Sequence, residues 1–150
     1  MRSRLLFALL VALLMAACGG GGGASCSAPA AIAGTWSGGI NDSRAGSGTL
    51  TIGFTQSACA LGGSWQTQFP DPSSDGSGTL FGNADGTQVS LNLMVPTASG
   101  CGYQASGTLT GPDTIGGSFG TVGTNCNSTG SFVLHLQSTS VPTPIPTPTS

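Results

Sequence analysis

The sequence predicts an all-β domain, an antiparallel up-and-down meander of about eight strands closed into a small barrel and carrying two disulfides; a two-sheet β-sandwich is the alternative. Three observations lead there. Across residues 31–138, apolar side chains alternate with small or polar ones at period two, the signature of half-buried strands. Ser-Gly-Thr-Leu recurs at 47–50, 77–80 and 106–109, at intervals of 30 and 29 residues, which is a two-strand hairpin unit and too short for a propeller blade. No stretch shows helical periodicity, and turn residues punctuate the chain throughout.

The elements follow in order. Ile32, Gly34, Trp36, Gly38 and Ile40 fall on one face of a first strand, which Asn41 to Gly46 interrupts. Leu50, Ile52 and Phe54 then alternate with threonines, and Leu61, Gly63, Trp65 and Phe69 with Ser64, Gln66 and Gln68. Pro70 to Gly76 is too dense in turn residues to continue a strand. A short strand over Thr79 to Gly82 precedes a hairpin turn at Asn83-Ala84-Asp85-Gly86, where Asp-Gly supplies positive φ. Val89, Leu91, Leu93 and Val95 make a fifth strand, and Tyr103, Ala105, Gly107 and Leu109 a sixth. Gly111-Pro112-Asp113 turns into Ile115, Gly117 and Phe119; Phe132, Leu134 and Leu136 complete the set. Closing this meander removes its exposed edges.

The N-terminus reads as an export leader. Arg2 and Arg4 precede an apolar run, Leu5 to Leu14, that is too short to span a bilayer, and Ala16-Ala17 supply the small residues of a cleavage site. Leu14-Met15-Ala16-Ala17-Cys18 resembles the lipobox of bacterial lipoproteins, with Met15 where that family usually has Leu. The resemblance implies that Cys18 is acylated, becomes the new N-terminus and holds the protein in the bacterial cell envelope: the outer membrane of a diderm, otherwise the outer face of the cell membrane. The chain then divides into a signal peptide (1–17), a Gly-rich tether (18–30), the barrel (31–138) and a Pro/Thr-rich tail (139–150) that favours an extended polyproline-type conformation.

Assigning Cys18 to lipid leaves Cys26, Cys59, Cys101 and Cys126, an even number in an oxidising compartment. In an up-and-down meander successive turns lie at alternating ends. Cys26 and Cys59 then share one end and Cys101 and Cys126 the other, roughly 20 Å away. A disulfide does not join Cα atoms more than about 7 Å apart, so the expected pairs are Cys26–Cys59 and Cys101–Cys126. The same parity brings both termini of the domain to the Cys26–Cys59 end and makes the far end the first place to look for a binding surface.

Composition narrows the function. From Cys18 onward the only basic side chain is Arg44, against Asp42, Asp71, Asp75, Asp85 and Asp113, a net of −4. A nucleic-acid footprint and a polybasic membrane patch are absent. The cysteines lack metal-site spacing and His135 is the only histidine, so neither a metal nor a cofactor is expected. Gly116-Gly117-Ser118-Phe119-Gly120 matches G-x-S-x-G, but it sits in an alternating strand rather than a strand–turn–helix. A symmetric hairpin places Ser118 opposite Ser131 or Val133, so His135 is at least one pair away, roughly 7 Å or more. A general base needs a reach of about 3 Å, and no enzymatic activity is expected.

Gly34-Thr35-Trp36 resembles the Gly-x-Trp of lipocalins and the Gly-Thr-Trp that opens avidin-type barrels, both eight-stranded meanders with a Trp packed at one end. The resemblance implies a structural Trp36; avidin's later ligand contacts are not found. An eight-stranded barrel is wide enough to be filled by side chains or to hold one small ligand. Inward Trp36, Phe54, Trp65, Phe69, Tyr103, Phe119 and Phe132 favour filling, whereas inward Gly34, Gly38, Gly63, Gly107 and Gly117 leave space or let the strands coil. The expectation is a non-catalytic barrel with a filled core, acting in binding or as a structural element. The alternatives are a lipocalin- or avidin-like carrier of a small apolar ligand and a module whose Thr/Ser/Gln-rich outer wall binds a glycan or an envelope protein.

Intact-mass spectrometry of the protein made in a bacterial host is expected to show a chain that starts at Cys18 and carries fatty acyl groups. A mature chain starting elsewhere, or Cys18 without lipid, overturns the lipobox reading.

Overall fold

The computed structural model describes residues 26–96, 101–124 and 126–139. The leader, Cys18 and the Pro/Thr tail beyond Thr139 lie outside them. The chain is an all-β closed barrel of eight antiparallel strands in sequence order: β1 (Gly34–Asp42), β2 (Gly46–Ser57), β3 (Ala60–Gln68), β4 (Gly76–Asp85), β5 (Gln88–Met94), β6 (Gly102–Leu109), β7 (Thr114–Val122) and β8 (Thr129–Ser138). A single 3-10 turn, Pro72–Ser74, interrupts the β3–β4 connection, with Asp71 capping it by accepting from the Ser73 amide. The seam is the antiparallel pairing of β1 with β8, from Thr35 opposite Ser138 to Asp42 opposite Gly130. The sandwich alternative is thereby excluded.

The strands differ from the sequence expectation in extent: β1 runs through Asn41 and Asp42 but starts after Ile32, β2 starts at Gly46, β3 and β5 stop short of Phe69 and Val95, and β4 is longer at both ends. β4 runs through Asn83, Ala84 and Asp85, because these stay paired with Ser90, Val89 and Gln88 and leave only Gly86-Thr87 as the loop. Asp-Gly marks the turn, but only its Gly is in it, at φ +55°. All three Ser-Gly-Thr-Leu copies lie in strands two, four and six, but at different heights: the repeat stands near the start of β2 and β4 and closes β6. The third copy therefore stands at the opposite end of the barrel.

Both disulfides join the expected partners, with Cα–Cα distances of 6.0 Å for Cys26–Cys59 and 5.9 Å for Cys101–Cys126. The first fastens the N-terminal segment across one end. There the Ile32 amide donates to Gln56 Oε1 at 2.8 Å, and Gln56 Nε2 donates to the carbonyls of Ala30 and Ala58. The Ala30 amide donates to the Gly86 carbonyl, the Gly86 amide donates to the Ser27 carbonyl, and the Ser27 amide donates to Asp85 Oδ1. Beneath it, Trp36 is fully buried and its indole N–H donates to the Ile32 carbonyl at 2.8 Å. With Ile32, Phe54, Leu61, Ala84, Val89, Ile115 and Leu134 it fills the lower half of the barrel.

Four of the inward glycines do not leave space. A Cβ on Gly34, Gly38, Gly63 or Gly117 would collide with a carbonyl of the neighbouring strand: Ser138, Val133, Gly53 and Ser106 respectively. These positions let adjacent backbones close in and the sheet coil, as a small barrel requires. Gly39, one residue along, faces open solvent with nothing within 4 Å of an added Cβ. Gly38→Val is expected to cost roughly 3 kcal/mol or more, whereas Gly39→Val is neutral or slightly stabilising. Urea unfolding with the disulfides intact reads the difference, and equal costs at the two sites overturn the close-approach account.

Candidate functional site

The described residues do not fill the upper half of the barrel. A cavity of about 420 Å³ opens at the end formed by the β1–β2, β3–β4, β5–β6 and β7–β8 turns. Ile40, Leu50, Ile52, Leu91, Leu93 and Ala105 form its apolar floor and walls. Trp65, Phe69, Tyr103, Phe119 and Phe132 stand around it. Tyr103 meets Trp65 edge-to-face at a centroid distance of 5.7 Å and Phe119 at 6.0 Å, so the three rings brace one another as a wall. Trp65 is fixed further by its indole N–H, which donates to the Met94 carbonyl at 3.3 Å. The filled-core expectation thus holds only below. Aromatics that lean against the wall and each other cannot also occupy the axis.

The mouth is polar. Asp42 extends the inward parity of Trp36, Gly38 and Ile40 by one step and so reaches the cavity rim. Its Oδ1 accepts from the amides of Arg44 (2.7 Å) and Ala45 (3.0 Å), which shapes the β1–β2 turn. Its Oδ2 accepts from Ser128 Oγ at 2.5 Å, joining that turn to the β7–β8 loop. Arg44 makes a second tie to the same loop, Nη1 donating to Asn127 Oδ1 at 2.8 Å. Thr67 and Thr121, also inward by alternation, spend their hydroxyls on the backbones of Gly76 and Ser128. Cys101–Cys126 lies on the rim and links the residue just ahead of β6, which carries Tyr103, to the loop holding Asn127 and Ser128.

Partial burial pushes the Asp42 carboxyl up, but the bonds from Ser128, Ala45 and Arg44 and the Arg44 charge outweigh it and leave its pKa below the ordinary value. Asp42 is therefore ionised at neutral pH. Burial, and then the Asp42 charge, push the Tyr103 phenol up, so that it stays protonated. Its hydroxyl makes no hydrogen bond to another described residue.

Among the residues singled out from the sequence, Cys101 and Cys126 stand at this site and Cys26 and Cys59 at the opposite end. Trp36 is core, and Cys18 lies outside the described residues. Ser118 faces Ser131, four residues from His135 along β8, or roughly 13 Å. His135 instead lies beside Thr114, its Nδ1 3.2 Å from the hydroxyl. No group of three or more His, Cys, Asp or Glu able to hold a metal occurs among the described residues. Asp42, Thr67 and Thr121 escaped the sequence reading. Asp42 falls within the turn-rich stretch Asn41 to Gly46, yet the alternation that locates the apolar face also points all three inward.

No protein-family model matches the chain, and no curated protein does. Solved structures with the same architecture do exist. A redesigned beta barrel, b11L5F_LGL, is similar at a TM-score of 0.61 and 18% identity, covering 75% of this chain and 96% of that one. EF1p2_mFAP2b bound to DFHBI is similar at 0.62 and 12% identity, covering 71% and 94%. The redesigned barrel mFAP1, also bound to DFHBI, is similar at 0.55 and 17%, covering 70% and 94%. At these identities the likeness is one of fold.

The depressed Asp42 pKa gives a signed pH dependence. Its contribution to stability is complete above the unfolded Asp value, about 3.9, and is lost as pH falls through the lower folded value. Asp42→Asn keeps the side-chain carbonyl that the turn amides need but does not titrate. Wild type is expected to lose more stability than D42N between pH 5 and pH 2 in thermal melts; parallel losses exclude the role given to Asp42.

Proposed function

We propose that this protein binds a small, largely apolar ligand in the upper half of its barrel and presents that site from a lipid anchor at Cys18. The cavity at the mouth is the observation that supports the reading. Its volume lies within the 300–1,000 Å³ range of small-molecule sites, and an apolar interior with a few convergent polar groups is the usual pattern. At the packing density of protein interiors it accommodates a molecule of roughly 300 Å³. Two solved barrels of the same architecture hold DFHBI, which makes an open small barrel a workable ligand scaffold. The anchor agrees with this arrangement. β1 begins and β8 ends at the plugged end, so an acyl chain on Cys18 would hold that end toward the bilayer and leave the mouth facing away.

A second reading has its own support. Asn83, Ser90, Ser106, Ser118, Ser131, Asn41 and Ser47 are cross-strand neighbours in one exposed row over seven strands of the outer wall. Such an uncharged hydroxyl and amide row would suit a glycan or an envelope protein.

A panel of apolar small molecules is expected to contain ligands that raise the melting temperature in a concentration-dependent way, stabilising the fold by about 2.7 kcal/mol at a hundredfold excess over Kd. Ala105→Trp fills the cavity and is expected to abolish the shift while the unliganded variant melts no lower than wild type. A ligand that binds A105W as well as wild type sits on the outer wall, and a panel with no such ligand removes the carrier reading.

A further inference from the structure

Resting on the carrier reading, the groups at the mouth define the head of the ligand. We propose that the site takes an amphiphile whose apolar, preferably flat aromatic body lies among Trp65, Tyr103 and Phe119, and whose head is a hydrogen-bond donor, an alcohol or an amine, received by Asp42 and Tyr103; the site discriminates against carboxylates.

The argument is one of unused hydrogen-bonding capacity. An ionised carboxylate offers about four acceptor positions and no donor. Asp42 spends three, on the amides of Arg44 and Ala45 and on Ser128 Oγ, and one position on Oδ2 is left at the cavity rim. The Tyr103 phenol, protonated and without a hydrogen bond to another described residue, offers a donor and an acceptor on the same cavity. A hydroxyl or ammonium group can give its proton to Asp42, and a hydroxyl can at the same time accept from Tyr103. A carboxylate would meet Asp42 as a like charge. Arg44 lines the same mouth, but its guanidinium is exposed and held by Asn127 through Nη1, so water screens its charge more than that of half-buried Asp42. Asp71 and Asp75, in the β3–β4 connection at the same end, add negative field there. The three rings, set edge-to-face, leave room for a flat body to complete the aromatic wall.

Four fluorescent probes with one body separate the possibilities: pyrene, 1-pyrenemethanol, 1-pyrenemethylamine and 1-pyrenecarboxylate, each titrated into the mature domain. The alcohol and the amine are expected to bind at least tenfold more tightly than the carboxylate. Asp42→Asn, which retains the turn-capping carbonyl, is expected to shrink that preference to less than threefold. Tyr103→Phe, which retains the ring contacts, is expected to weaken the alcohol severalfold and leave pyrene within twofold. If pyrene binds but the carboxylate matches or exceeds the alcohol and amine, the head assignment is overturned and the cavity remains a binding site. If neither pyrene nor any derivative binds, the carrier reading fails and the head assignment goes with it.

Discussion

The ladder between β1 and β8 is the constraint on which the rest depends. A sheet of eight meandering strands has two edges whose unpaired N–H and C=O groups invite other chains, and natural sheets commonly guard such edges with charge. Here the described strands carry only Asp42 and Asp85, both at strand ends, and His135. Closure removes the need for guards. It also demands tight coiling, which the seam meets with glycine: Gly34 and Gly38 on β1 lie against the carbonyls of Ser138 and Val133, and Gly130 on β8 lies against that of Asn41. A side chain at any of these would separate the two strands that close the barrel.

Closure leaves two ends to be treated differently, and the chain does so with the segment before β1. Residues 26–32 cross one end, tied by Cys26–Cys59 and by Gln56, and Trp36 packs beneath them. Among the described residues the other end has no such plug. Its turns are instead braced laterally: Asp42 and Arg44 reach the β7–β8 loop through Ser128 and Asn127, and Cys101–Cys126 ties that loop to the start of β6. Lateral bracing holds a mouth open in a fixed shape, which is the preorganisation that a small-molecule site needs. One disulfide secures a floor and the other a rim.

The outer wall and the interior follow from the same alternation but obey different rules. Outward positions carry mainly hydroxyls and amides in rows across the strands, with Phe81, Met94, Val122 and Val133 as the exposed large apolar side chains among the described residues. Inward positions change character with height, from aliphatic and indole packing at the plugged end, through an aromatic wall, to a carboxylate and a phenol at the mouth. That gradient places the polar groups where water already reaches, and Asp42 remains ionised through three hydrogen bonds.

The strand order, the inward face and the cysteine pairs are all legible in the sequence, because period-two alternation and the parity of an up-and-down meander are local rules that add along the chain. The lower core is legible too, since Trp36 and Phe54 lie on the alternating face. Whether the upper half is filled is not. It depends on whether Trp65, Tyr103 and Phe119 point across the axis or lean on one another, and side-chain direction within a barrel is set by neighbours on other strands. The role of the glycines was likewise decided only in three dimensions: an absent side chain reads as space in a sequence, but on a coiled sheet the adjacent backbone takes that space. Asp42 shows the same limit. Its residue type and its neighbours spell a turn, its parity points into the barrel, and only the closed fold brings Ser128 and Tyr103 to it from the far end of the chain.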